Sequence, residues 1–149
     1  MYSSDMEALC TIRQVAQRTG LSIDTLRYYE RIRLIGPVRR AANGHRQYRQ
    51  ADLDWINLII RLRETGMPLT QISYFAQLRR QGPQTTTERH LILEDHQRLL
   101  AQQIQQLMQH MEALTEEIVC YKEREEILAA SSPAIPFPAT TTEEEEGIR

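Results

Sequence analysis

From Thr85 to about Ala130 the chain contains neither proline nor glycine, and its apolar residues return in alternating steps of four and three. Leu100, Ile104, Leu107, Met111, Leu114, Ile118 and Tyr121 keep this rhythm, and Leu93 and Leu128 extend it by one heptad at either end. A repeat averaging 3.5 residues draws one stripe along a long α-helix, the seam of a coiled coil. A single helix cannot bury its own stripe. Folding back onto residues 1–80 would leave much of so long a seam uncovered. The pattern therefore predicts dimerisation through this segment, two identical chains being the simplest closed assembly.

The net charge of −2 argues against a polyanion partner until its distribution is read. Residues 1–80 hold thirteen arginines, no lysine and seven acids; residues 81–149 hold five basic and thirteen acidic residues. A basic front and an acidic rear point to a polyanion that meets the front alone. Arginine suits that task because its planar fork donates two parallel hydrogen bonds to phosphate or guanine. With 6% aromatic and 41% hydrophobic residues, a large enzyme-like core is not expected. No apolar run reaches the ~18 residues of a membrane span, and the first ten residues lack the pattern of a signal peptide. Two distant cysteines make no disulfide framework, so a reducing cytoplasm is the expected location.

The front half divides at its caps. Thr11 and Gln14 stand in capping-box register at the start of a first helix, with Ile12, Val15 and Ala16 facing a core. Gly20 suits a left-handed C-terminal cap, Leu21 packs inward, and Ser22 caps a second helix. On that helix Ile23, Leu26 and Glu30 share one face, with Tyr29 flanking it. Asp24, Arg27, Tyr28 and Arg31 share the other. An Arg/Tyr face is often simply solvated, but a basic hairpin follows it. Gly36-Pro37 closes the second helical region. Val38–Arg40 and Arg46–Tyr48 read as short strands around Ala41–His45, where Asn43-Gly44 favours the positive φ angles of a tight turn. The hairpin either forms a wing against phosphates or only covers the core edge. Two helices at a tight turn followed by a wing make a winged helix-turn-helix, a device that sets side chains against DNA.

A third helix is expected from about Gln50 to Thr65, with Asp52 and Asp54 in its first turn and an apolar stripe of Leu53, Ile56, Ile60 and Leu62, Trp55 packing beside it. Gly66 ends it. Pro68 opens a fourth helix bearing Ile72, Phe75, Ala76 and Leu78, and Gly82-Pro83 stops that one. The expected class is mainly α: a winged helix-turn-helix head and a long coiled-coil dimerisation helix. The divisions are an N-terminal extension (1–10), a DNA-binding head (11–82), a dimerisation helix (85–130) and a Pro-, Thr- and Glu-rich tail (131–149) with the composition of a disordered segment.

T-L-R-Y-Y-E at Thr25–Glu30, L-I-G-P at Leu34–Pro37, N-G-H-R-Q-Y at Asn43–Tyr48 and G-M-P-L at Gly66–Leu69, in this order and ahead of a long helix, resemble the bacterial MerR family of transcriptional regulators. The resemblance covers about Thr11 to Ala130. It implies a homodimer joined by an antiparallel coiled coil, with its two heads in successive major grooves of a palindromic site. It further implies promoter DNA with an overlong spacer that is bent and untwisted until RNA polymerase engages both promoter elements, an indirect readout. By position, the resemblance assigns Ser22, Thr25, Arg27 and Tyr28 to the recognition helix and Arg40, Asn43, Arg46 and Tyr48 to the wing and its phosphate contacts. Asp24 stands where some relatives carry a base, and His45 where many carry tyrosine; Arg31 joins the same face. The dimer seam is assigned to Leu93, Leu100, Ile104, Leu107, Met111, Leu114, Ile118 and Tyr121.

The effector is less legible. The long helix begins with Thr85-Thr86-Thr87, where metal-sensing relatives have a cysteine, and no cysteine pair follows it. One thiolate does not close a soft-metal site, and the four cysteines of an iron–sulfur centre are missing. No metal or other cofactor is expected. The head and R-L-R-E-T-G-M-P-L most resemble the short thiol- or aldehyde-responsive AdhR/NmlR-like branch, but Arg61 occupies the position of that branch's cysteine. Cys120 lies one turn from the seam, where Lys122 and Arg124 favour its thiolate and Glu116, Glu117 and Glu123 oppose it. An inert thiol is the expectation, a redox role the alternative. Cys10 lies just before the first cap. His90, His96 and His110 are not at i,i+4 spacing and read as solvated. No nucleophile–base set or phosphate-cradling loop suggests an enzyme. The rival to a transcription factor is an architectural DNA-bending protein without an inducer.

Overall fold

Helix α1 (Ile12–Thr19) starts where its capping box predicts. Thr11 Oγ1 accepts from the Gln14 N–H at 3.2 Å, and Gln14 Oε1 accepts from the Thr11 N–H at 2.8 Å. Gly20, at φ +77°, takes the left-handed conformation that a side chain would disfavour and donates its N–H to the Ala16 carbonyl at 2.9 Å. Ser22 then caps α2 (Ile23–Arg31), its Oγ accepting from the Thr25 N–H at 3.0 Å. The remaining helices are α3 (Gln50–Glu64), α4 (Leu69–Gln81) and α5 (Thr86–Ser131), with one 3-10 turn at Pro83–Thr85. Strands β1 (Arg39–Arg40) and β2 (Arg46–Gln47) form a two-stranded antiparallel sheet, Arg39 opposite Gln47 and Arg40 opposite Arg46. The structure is a computed structural model and describes residues 8–132; the tail composition read for 131–149 falls outside it from residue 133 on.

The core of the head is assembled from every helix of the front half. Val15, Leu26, Ile56, Ile59 and Ile72 are fully buried. Each such aliphatic side chain contributes about 1.5–3 kcal/mol by leaving water. Trp55 ties two layers together: its Nε1–H donates to the Leu34 carbonyl at 2.9 Å, and its ring stacks on Phe75 of α4. Thr85 is the one buried polar residue among those described, and its hydroxyl donates to the Leu78 carbonyl at 2.6 Å.

Several details depart from the sequence reading. Helix α2 ends at Arg31, five residues before Gly36. Its exit runs through Arg33, whose φ of +58° is the one positive value at a non-glycine residue among those described. Tyr29 does not flank the inner face but belongs to it, buried beside Leu26. In α3 it is Ile59 that is fully buried, while Ile60 is only partly covered. The hairpin turn has a positive φ at Gly44 alone and not at Asn43, so it is not the two-residue turn with both central residues left-handed. Cys10 belongs to the wing rather than merely preceding α1. It is buried and exchanges backbone hydrogen bonds with Tyr48, both at 2.8 Å.

Two units are distinguished, the first ending at Gln103 and the second starting at Ile104. The opening turns of α5 belong to the first. There Ile92 and Leu93 pack against the head's core, and His96 Nε2 lies 2.7 Å from Thr65 Oγ1. His96 is therefore engaged rather than solvated, and Leu93, expected in the seam, serves the head. From Ile104 on, the second unit is the rest of α5, with no buried residue.

Candidate nucleic-acid interface

Helix α2 divides cleanly into a face that packs and a face that is offered to solvent. Asp24, Arg27, Tyr28 and Arg31 are exposed, as their spacing predicts. Asp24 Oδ1 lies 3.9 Å from Arg27 Nη1, a loose surface pair that a DNA phosphate or base can displace at little cost. Ser22 and Thr25 sit at the head of the helix with their hydroxyls 2.8 Å apart, so part of their capacity is spent on capping.

The wing is tied to this face by an ion pair. Arg46 Nε donates to Glu30 Oε2 at 2.5 Å, and both side chains are about four-fifths covered. A largely buried, hydrogen-bonded charge pair adds to the Cys10–Tyr48 bridge in fixing the angle between α2 and β2. Arg46, which the resemblance assigns to the DNA-contacting wing, commits its Nε to Glu30 and so joins β2 to α2. Tyr48 is a second correction. It is fully buried, and its hydroxyl is without a hydrogen-bond partner. Burial raises its pKa above the usual tyrosine value, with the neighbouring Glu30 charge adding to the shift. It packs beneath the wing, away from the exposed surface.

The rest of the wing is free to contact a polyanion. Arg39, Arg40, Asn43 and His45 are exposed. Arg40 Nη1 donates to the Gly44 carbonyl at 3.0 Å, and Asn43 Oδ1 accepts from the His45 N–H at 3.1 Å, so both side chains also brace the turn. The structure adds two cations that the sequence reading did not single out. The Arg80 guanidinium donates to the Arg33 carbonyl, bringing the end of α4 to the exit of α2, and Arg31, Arg33 and Arg80 line one cavity. Arg80 lies 47 residues from Arg33, a contact no local pattern announces.

Helix α5 presents the other candidate surface. Leu107, Met111, Leu114, Ile118 and Tyr121 are all more than half exposed, as are Ile104 and Leu128, while Leu100 is partly covered. Met108, Val119 and Ile127 add apolar surface beside the predicted stripe. Cys120 is an exposed free thiol on this helix. Among the described residues no helix is long and apolar enough to cross a membrane.

Comparison with known proteins gives this geometry a family. Residues 10–78 match the MerR HTH family regulatory protein model, and residues 53–116 match the model for MerR, DNA binding. The chain is 30% identical over 129 residues to an HTH-type transcriptional regulator of Haemophilus influenzae, covering 85% of this chain and 96% of that one. It is 39% identical over 89 residues to the transcriptional regulator AdhR of Bacillus subtilis, over 60% of this chain but only 64% of the relative's length. Among solved structures it is similar to HiNmlR, a MerR family regulator lacking the sensor domain, bound to promoter DNA. That likeness has a TM-score of 0.71 at 29% identity and covers 80% of this chain and 94% of the other. A MerR family regulator from Listeria monocytogenes matches as well, with a TM-score of 0.72 at 29% identity. The chain belongs to the MerR family of DNA-binding transcriptional regulators.

Proposed function

We propose that the chain works as a homodimer that binds a palindromic promoter site and distorts its spacer so that RNA polymerase engages it. The observation that carries this reading is the pairing of two surfaces on one chain: an arginine-rich α2 face beside a braced wing, and an unpartnered apolar stripe on α5. Leu100, Ile104, Leu107, Met111, Leu114, Ile118 and Tyr121 supply the dimer contact, in antiparallel register. Each head then places α2 in a major groove, with Arg27, Tyr28 and Arg31 toward the DNA and Ser22, Asp24 and Thr25 at the helix start. Arg40, Asn43 and His45 bring the wing to the flanking phosphates. Promoter binding by HiNmlR, a relative of nearly the same extent, supports the DNA-binding part.

The dimer fixes the spacing of the two α2 helices, and the DNA conforms to it. The cost of bending and untwisting falls on flexible steps, which makes specificity partly a matter of shape. Transcription in vitro on a promoter with a lengthened spacer tests this. The distorting regulator raises or lowers transcript yield in step with spacer length; a purely architectural binder bends the DNA and leaves yield unchanged.

A further inference from the structure

The exit of α2 is a helix stop of the kind that favours glycine, and it carries arginine instead. The Arg33 N–H donates to the Glu30 carbonyl at 3.1 Å and the Leu34 N–H to the Tyr29 carbonyl at 2.9 Å, and both Leu34 and Tyr29 are buried. These are the two bonds of a Schellman motif, which holds one residue in the left-handed conformation. Arg33 takes that place, at φ +58°. A side chain is disfavoured there, and glycine would relieve the strain. Strain of this kind persists only where the surrounding structure imposes it, and it gathers at functional sites. The Arg33 carbonyl accepts from the Arg80 guanidinium, which brings a second cation from the end of α4.

Arg31, Arg33 and Arg80 surround a cavity of about 380 Å3 that Ile35 and Pro37 help to wall. All three arginines are exposed, and among the described residues none has a carboxylate within ion-pairing distance. The one lining acid, Glu30, is engaged by Arg46 at 2.5 Å. Like charges gathered without a counter-ion repel, and an anion bridging them relieves the repulsion. Glu30 and Arg31 also line the adjoining cavity, together with Arg27 and Arg46. Arginine forks therefore run without a break from the exposed face of α2 to the end of α4. A single oxyanion fills one cavity of this row, whereas a strand charged at every nucleotide fills both. We propose that the Arg31–Arg33–Arg80 cavity seats a backbone phosphate of the duplex that α2 meets, beyond the contacts given to α2 and the wing. The site rests on the DNA-binding reading and widens its footprint. It carries no base preference, since phosphates are alike in every sequence; it fixes how the head is turned on the duplex.

Equilibrium binding of the full-length chain is measured on its preferred duplex and on an unrelated one across a KCl series. Arg80→Gln and Arg33→Gly are each expected to weaken binding to both duplexes alike, about tenfold at low salt. Each also flattens the slope of log K against log salt by about one per head. Arg80→Lys keeps the charge and retains most of the slope. Arg33→Gly raises the urea midpoint by relieving the left-handed strain, so its lost affinity does not come from a loosened fold. Parent slopes in both Arg80→Gln and Arg33→Gly overturn the proposal. So does a loss confined to the preferred duplex at unchanged slope, which makes Arg80 a brace for α2. Inorganic phosphate that raises the melting temperature of the parent but not of these variants, with parent slopes on DNA retained, gives the cavity to a free oxyanion and overturns it as well. A parent chain that binds neither duplex removes the DNA reading and this site with it, a failure seen before any variant is made.

Discussion

Tyr48 shows how one side chain can be assigned to the wrong surface. The family resemblance assigned it to the wing's phosphate contacts, yet it is fully buried with an unpartnered hydroxyl. A buried polar group without a partner costs about 1–3 kcal/mol relative to an apolar one of the same shape. Tyr48→Phe is therefore expected to leave stability unchanged or raise it by up to about 1 kcal/mol in urea denaturation, with DNA affinity preserved. Its raised pKa carries a sign. The folded state holds the phenolic proton more tightly than the unfolded chain, so stability is full below the ordinary value of 10.0 and declines as pH rises beyond it. Denaturation midpoints compared below and above this pH should show the decline in the parent chain and a smaller one in Tyr48→Phe. Arg27 is the opposite case, an exposed cation on the α2 face that the proposed function turns toward DNA. If it reads a base, Arg27→Ala costs about 1–3 kcal/mol on the preferred site and relaxes preference at one base pair. Equal loss on every sequence would reduce it to a phosphate contact.

At the level of elements, helices were legible because their ends are written locally. Thr11 with Gln14, Gly20, Ser22 and Gly82-Pro83 all act within four residues of the break they make, and each break falls there. The exit of α2 was not legible, because Arg33 adopts a left-handed conformation without the glycine that usually marks one. Nor was the role of Arg46. Whether an arginine faces solvent or an acid sixteen residues away depends on how α2 meets β2, and no local spacing encodes that. The consequence is testable. Glu30→Ala should destabilise the head by about 1.5–3 kcal/mol in urea, the range for hydrogen bonds to charged groups. It should also weaken DNA binding although Glu30 faces Arg46 rather than the exposed side, because the wing loses its anchor. Undiminished DNA affinity in this variant would mean that the wing's angle is set elsewhere.

At the level of the whole molecule, the heptad rhythm made the long helix legible and left its boundary with the head obscure. Leu93 keeps the seam's period yet packs against the head, and His96 meets Thr65 of α3's end, because the first turns of α5 complete the core they follow. Periodicity reports that a face is apolar and is silent on what covers it. The stripe from Ile104 to Leu128 is exposed within the single chain, and the proposed dimer would cover it. Leu114→Glu places a charge at the middle of that stripe and should convert dimers to monomers in sedimentation velocity, with specific DNA binding lost together with the dimer. Persistent dimers would move the contact to the second apolar set around Met108, Val119 and Ile127.

The most direct measurement is hydroxyl-radical footprinting of the intact chain on a duplex selected from a random pool. A dimer with paired recognition helices predicts two protected patches related by a dyad, centred about ten base pairs or a multiple apart, with altered cleavage between them where the helix is distorted. A single patch without dyad symmetry, on DNA of unaltered shape, would contradict it.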